Sequence, residues 1–185
     1  MNSTLTSTFR GLNLTAFGLL HNIDPTRYGY TPLDEQGNMK YPGYLVGQYN
    51  GSDGEVGIIP GGHLGNSEAS TLTLMRKFTI LTNNPTFSGS ITGRDPKRGR
   101  WGGAIRSTSD GSVFFGATGF PEIVDHLLVA CVMFECRVLT LTAFNEVTSQ
   151  TYLREACLDR HMTTEQFMAL RTWIHNMAKA RCTNL

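Results

Sequence analysis

The 185-residue chain has almost no net charge, because sixteen lysines and arginines against fifteen acidic residues leave +1 at neutral pH. A molecule this close to neutrality has no global field that attracts polyanions, so binding to nucleic acid or to an anionic membrane would need a local cluster of cations. Only 17% of the residues are charged and 40% are hydrophobic, which excludes a disordered chain. The composition predicts one folded domain.

Long apolar runs and a cysteine framework are also missing. The longest apolar run, residues 127–134, is too short to cross a bilayer. The first residues lack the basic start and apolar core of a secretory signal. The four cysteines contain no C-x-x-C pair and are too sparse for a disulfide scaffold: Cys131, Cys136, Cys157 and Cys182. These absences predict reduced thiols, no membrane partner and a cytoplasmic location.

Signatures of common catalytic sites are absent as well. The chain has no nucleophile elbow, zinc-binding helix, dinucleotide-binding fingerprint or Walker loop. We therefore assign no catalytic residue and no metal ligand, and we favour a binding protein over an enzyme. An enzyme with a non-standard site near His63 stays an alternative, because this residue lies in a glycine-rich turn where an imidazole and backbone N–H groups suit an anion or a metal.

The charge that is present is concentrated in residues 93–103, "GRDPKRGRWGG", which we call the basic loop. Against a single acid, Asp95, it holds Arg94, Lys97, Arg98 and Arg100, and Trp101 follows. Arginines clamp phosphates, aromatic rings stack on bases, and glycines let a backbone approach a ligand closely. We predict that these four cations and Trp101, together with His63, contact an anionic ligand. The alternative is a solvated or inter-subunit loop.

Local patterns in the first half of the chain predict two hairpins and a helix. Strand-forming runs flank residues 50–54, where Asn-Gly and Asp-Gly pairs favour a turn, and a second pair of runs flanks Asp110-Gly111. Between the hairpins, Asn66 or Ser67 suits a helix N-cap, and the apolar spacing is helical at Leu74, Phe78 and Leu81, although the threonines of this segment would also suit a strand.

The second half of the chain predicts more helix. Residues 119–138 form a helix that is apolar on nearly every side, which is typical of a buried centre or an oligomer contact. Residues 138–147 alternate like a strand, and Thr163 with Gln166 forms a possible capping box that opens an amphipathic final helix.

Together these elements predict a mixed α+β fold, a single antiparallel sheet built from hairpins and packed by helices, with a helical C-terminal extension. We divide the single domain, residues 1–185, into three parts. Residues 1–43 are an N-terminal segment with a tyrosine- and proline-rich loop, residues 44–147 the sheet-and-helix core, and residues 148–185 the C-terminal helices.

The order of elements over residues 44–135 resembles the GlcG-like haem-binding domain family, which has a profilin-like α-β-α arrangement. Gly116, Gly119 and Asp125 match that family's G-x-x-G motif with an acidic residue six positions on. The resemblance implies a symmetric oligomer that holds a small ligand at a subunit boundary. The basic "KRGRWGG" replaces the family's glycine-and-proline strand, and residues 136–185 have no counterpart. Haem is implied as a cofactor by the resemblance alone, with His63 the first residue to test as its ligand.

These observations lead to one expected function and two alternatives. We expect an oligomeric small-molecule-binding protein, for sequestering or sensing, whose anionic or nucleotide-like ligand lies near a subunit boundary. The alternatives are a nucleic-acid-binding or protein-interaction module that uses residues 94–101, and the enzyme near His63. Self-association into a homo-oligomer is expected because the central and final helices offer more apolar surface than one small sheet covers.

Overall fold

A computed structural model describes residues 44–50, 55–61, 67–107, 113–119, 122–149, 153 and 163–182. The predictions for residues 1–43, for His63 and for the Asp110-Gly111 turn lie outside these residues. The helices and strands are β1 Tyr44–Asn50, β2 Glu55–Gly61, α1 Ser67–Asn83, β3 Ala104–Arg106, β4 Val113–Thr118, α2 Glu122–Glu135, α3 Leu141–Val147 and α4 Thr164–Cys182.

The four strands form one antiparallel sheet in the order β2-β1-β4-β3. Strands β1 and β2 pair from Tyr44 opposite Gly61 to Asn50 opposite Glu55. Strands β3 and β4 also pair, and Ala104 lies opposite Gly116. Both predicted hairpins are therefore confirmed. Strand β1 also pairs with β4, and this joins the hairpins into a single sheet. The predicted α+β fold with a single antiparallel sheet is confirmed.

Helices cover both faces of this sheet. Alternate side chains of a strand point to opposite faces, so neighbouring residues of β4 contact different helices. Phe114 of β4 packs with Leu74, Phe78 and Leu81 of α1, while Phe115 packs in a second cluster with α2. Every residue of α2 from Ile123 to Met133 is buried, as predicted for a central helix. Helix α4 packs on the side of α2 away from the sheet, so the order of layers is α1, sheet, α2 and α4.

The predicted strand over residues 138–147 is wrong, because most of this segment is helix α3. The Thr140 hydroxyl accepts a hydrogen bond from the Ala143 amide at 3.3 Å and so caps the helix. Phe144 and Val147 are buried at a helical spacing, while Leu141 is exposed. The alternation of threonine and leucine is short, and the cap together with burial of one helical face outweighs it.

The predicted final helix and its capping box are confirmed. The Thr163 amide donates to Gln166 Oε1 at 2.8 Å, and the Gln166 amide donates to Thr163 Oγ1 at 3.2 Å. Leu170 and Ile174 of α4 are buried in the cluster that contains α2. The chain's own helices thus cover the apolar surfaces from which self-association was argued, and the oligomeric state stays a prediction.

Candidate anion-binding surface

The basic loop closes on itself through backbone hydrogen bonds around Asp95. The Asp95 amide donates to the Arg100 carbonyl at 3.0 Å, and the Arg98 and Arg100 amides both donate to the Asp95 carbonyl at 3.0 Å. Pro96–Arg98 form a 3-10 turn whose first residue is a proline with a suitable fixed φ. Gly99 ends this turn at a φ of 65°, a left-handed conformation that favours glycine. The loop therefore has a defined shape.

One end of this loop, which we call the loop base (Arg94, Gly102 and Gly103), is attached to the start of α2. Arg94 Nε donates to Glu122 Oε2 at 2.6 Å, and the Gly102 amide donates to the other carboxylate oxygen of Glu122. A carboxylate in the first turn of a helix is also favoured by the helix dipole. The guanidinium of Arg94 is thus already paired, although its predicted ligand contact stays a prediction.

A buried ion pair lies beneath the loop base. Lys77 extends from α1 to α2 on the opposite face of the sheet, where its Nζ lies 3.0 Å from Asp125 Oδ2 and 2.6 Å from the Ala117 carbonyl oxygen. The two side chains are only 2% and 3% exposed. A Cβ at Gly103, which has a φ of 100°, would lie 2.8 Å from Lys77 Nζ. This glycine therefore leaves the space through which Lys77 joins the two layers.

The other end of the loop exposes its charges. We call Lys97, Arg98, Arg100 and Trp101 the loop-tip surface. Arg98 lies 3.5 Å from Asp95, but its side chain is 73% exposed, and such a pair contributes little. Lys97 and Arg100 are exposed and have no ion-pair partner in the part of the chain that the structure describes. The Trp101 side chain is 36% exposed, with the Arg94 guanidinium 5.8 Å from its ring centroid.

The fold brings one further cation to this surface that the sequence analysis missed. Arg76 is exposed on α1, and a Cβ added to Gly99 would lie 2.8 Å from its Nη1 atom. No sequence signal distinguishes Arg76 from an ordinary solvent-exposed arginine of a helix. Only the packing of α1 against the sheet places it beside the basic loop.

A partly open cavity of about 130 Å³ is formed by the segment after α1, the end of β3, Leu139 and α3, and its lining includes no residue of the basic loop. Arg106 lines it but donates to the carbonyl oxygens of Leu81 and Phe87, and its guanidinium lies 4.5 Å from the Phe114 ring centroid. Burial lowers the pKa of Arg106 from its ordinary value. Small-molecule pockets have volumes of roughly 300–1,000 Å³, so this cavity is too small for a nucleotide.

Comparison of the chain with protein families, with curated proteins and with solved structures finds no match. Two of the three residues that carry the GlcG-like resemblance, Asp125 and Gly116, lie in packed surroundings. Asp125 holds Lys77, a Cβ on Gly116 would lie 2.8 Å from Leu74 Cδ1, and Gly119 follows β4 at a φ of 127°. The resemblance itself stays a prediction.

The described residues show neither a metal-binding cluster nor a membrane-spanning helix. Over the described ranges, no group of three or more histidine, cysteine or acidic side chains is arranged to hold a metal ion. Of the four helices α1 to α4, none is both long enough and apolar enough to cross a bilayer. Because His63 lies outside these ranges, its predicted ligand contact stays a prediction.

Proposed function

We propose that the protein binds a phosphate-bearing polyanion, a single strand of nucleic acid, on the loop-tip surface. The observation that carries this proposal is the division of the cations between the two ends of the basic loop. Arg94 and Lys77, which lies beneath the loop base, are paired with carboxylates that are mostly buried. Lys97 and Arg100 are exposed beside Trp101 and have no ion-pair partner among the described residues, and Arg98 has only an exposed pair with Asp95. Arginines bind phosphate oxygens, and successive bases stack on aromatic rings.

Charge repulsion supports an anionic ligand at this position. Three exposed cations within four consecutive residues repel one another, and a bound polyanion relieves that repulsion. The backbone hydrogen bonds around Asp95 hold the turn in shape without help from the side chains of Lys97 and Arg100. Those side chains therefore contribute little to the fold and are free to contact a partner.

Exposure of the loop-tip surface favours a strand over an enclosed small ligand. A small ligand generally buries most of its surface in a pocket. The Arg98 side chain is 73% exposed, and the cavity described above lies at other residues. A strand needs only a surface with cations and a ring. A small anionic ligand at a subunit boundary would require a second copy of the chain to close the site.

Fluorescence anisotropy with a labelled oligothymidylate tests the proposal over a series of salt concentrations. Arg98→Ala/Arg100→Ala should weaken binding and reduce the slope of log K against log salt by about 1.4, since each phosphate contact on a single strand contributes about 0.7. Lys179→Ala, which removes an exposed cation from α4, is the control and should leave the slope unchanged.

Two results would overturn the proposal. Equal slopes for the wild type and the loop-tip double variant would show that these arginines do not contact phosphates. A mononucleotide that competes as tightly as the oligonucleotide would favour the small-ligand function at a subunit boundary instead.

A further inference from the structure

Arg76 belongs to an exposed stripe of α1 whose orientation is fixed by packing. Leu74 and Phe78 are buried against the sheet, so the helix cannot rotate without exposing them. Leu72, Arg76 and Thr79 are exposed at i, i+4 and i+7, a spacing that places them on one side of a helix. Arg76 therefore points away from the sheet.

The charge of Arg76 is not matched by its neighbours. An arginine on a helix surface usually interacts with side chains three or four positions away. Those positions hold Leu72, Thr73, Thr79 and Ile80, and none is acidic. Among the residues that the structure describes, no carboxylate forms an ion pair with Arg76. Its charge therefore adds to that of the loop tip.

Arg76 of α1 lies beside the loop at Gly99. The left-handed φ of 65° already favours glycine at this position, and the missing side chain also leaves room for the Arg76 guanidinium. Arg76 thus lies directly beside the backbone that connects Arg98 to Arg100. Cations from two separate elements, α1 and the basic loop, meet at one surface.

We infer that Arg76 is a phosphate-binding residue, and that a bound strand continues from the loop-tip surface past Gly99 onto α1. This inference rests on the proposed function and adds to it the direction in which the bound strand runs and one further phosphate contact. Cations on two elements suit a ligand with several phosphates in succession. A strand long enough to reach α1 should therefore bind more tightly than one that covers the loop tip alone.

The test is the salt dependence of oligothymidylate binding for Arg76→Ala, with Thr79→Ala as a control one turn away on the same stripe. Arg76→Ala should reduce the slope of log K against log salt by about 0.7, the contribution of one phosphate contact on a single strand. Arg76→Lys should retain most of the slope because it retains the charge. Thr79→Ala should match the wild type, and urea unfolding should show that all three variants fold.

The outcomes separate this inference from the proposed function. If Arg76→Ala keeps the wild-type slope while Arg98→Ala/Arg100→Ala reduces the slope of log K against log salt by about 1.4, the inference is wrong and the proposed function stands. If the loop-tip double variant also keeps the wild-type slope, or the wild type does not bind the oligonucleotide, both are wrong. A loss of slope in Arg76→Lys equal to that in Arg76→Ala would also contradict a role for the charge.

Discussion

At the base of the basic loop, Arg94 and the neighbouring Lys77 are paired with Glu122 and Asp125, whereas at its tip Arg100 has no carboxylate partner among the described residues. Burial explains this difference. A charge removed from water requires a partner in a favourable geometry, while an exposed charge stays hydrated and gains little from one. The same residue types are therefore held in ion pairs near one end of the loop and left exposed to solvent at the other.

Breaking the buried ion pair beneath the loop base should lower the free energy of unfolding more than any other change considered. Lys77→Met leaves Asp125 buried without its cation and should lower the free energy of unfolding by about 3–5 kcal/mol. Urea unfolding measures this change. The double variant Lys77→Met/Asp125→Leu should recover most of the loss, because an apolar pair replaces both charges. A loss of less than about 1 kcal/mol for the single variant would show that the pair is not buried in solution.

The second effect is a pH dependence of stability at His126, the residue after Asp125 on α2. Its Nε2 lies 2.9 Å from the Val147 carbonyl oxygen. Burial, with a smaller contribution from the charge of Lys77, lowers the pKa of His126 from 6.5 to about 4. The unfolded chain therefore binds a proton at a higher pH than the native protein does. The stability from neutral His126 is complete above pH 6.5 and is lost as the pH falls to about 4.

The size of this loss should be about 3 kcal/mol, since one unit of pKa difference corresponds to about 1.4 kcal/mol. Urea unfolding across this pH range measures it, and His126→Asn is the control because its side chain does not titrate. The asparagine variant should be less stable at neutral pH but should show a flatter pH profile. Identical profiles for the two proteins would exclude His126 as the source.

A smaller effect is expected from Glu122→Ala at the loop base. The change removes the acceptor of the Arg94 and Gly102 hydrogen bonds. Because the Arg94 side chain is 24% exposed, solvent weakens the pair, and we expect a loss of about 1–2 kcal/mol in urea unfolding. A loss as large as that of Lys77→Met would mean that partial exposure does not weaken this pair.

The smallest effect on stability is expected at the loop tip. Arg100→Ala should change the free energy of unfolding by no more than about 0.5 kcal/mol, because the side chain is exposed and its backbone bonds to Asp95 remain. Thermal unfolding is sufficient to measure it. A clear loss of stability would place Arg100 with the structural cations of the loop base and would remove the basis of the comparison.

Local patterns predicted most of the elements. Both hairpins, α1, α2 and α4 follow from turn pairs, periodicity and caps within each segment, as the Thr163 and Gln166 capping box illustrates. Helix α3 was missed because threonine and leucine alternate over the start of this segment, as they do in a strand. Packing against other segments of the chain favours the helix instead. Phe144 stacks on Phe134 with their centroids 4.5 Å apart, a contact that no local pattern reveals.

The candidate site was predicted only in part, because its organisation depends on contacts between distant segments. Lys77 and Asp125 are 48 residues apart and come from opposite faces of the sheet. In the sequence, Arg94 looks like the other cations of the loop, and its pairing with Glu122 at the start of α2 appears only in the structure. Arg76 likewise reaches the site through the packing of α1.

We propose that the cations of the loop tip bind a polyanion and that those near the loop base do not. The most direct test is the salt slope of oligothymidylate binding for Arg98→Ala/Arg100→Ala beside Lys77→Met/Asp125→Leu, each confirmed to be folded. We expect a slope reduced by about 1.4 for the loop-tip variant and the wild-type slope for the variant of the buried pair. Equal slopes for the two variants, whether both reduced or both unchanged, would contradict it.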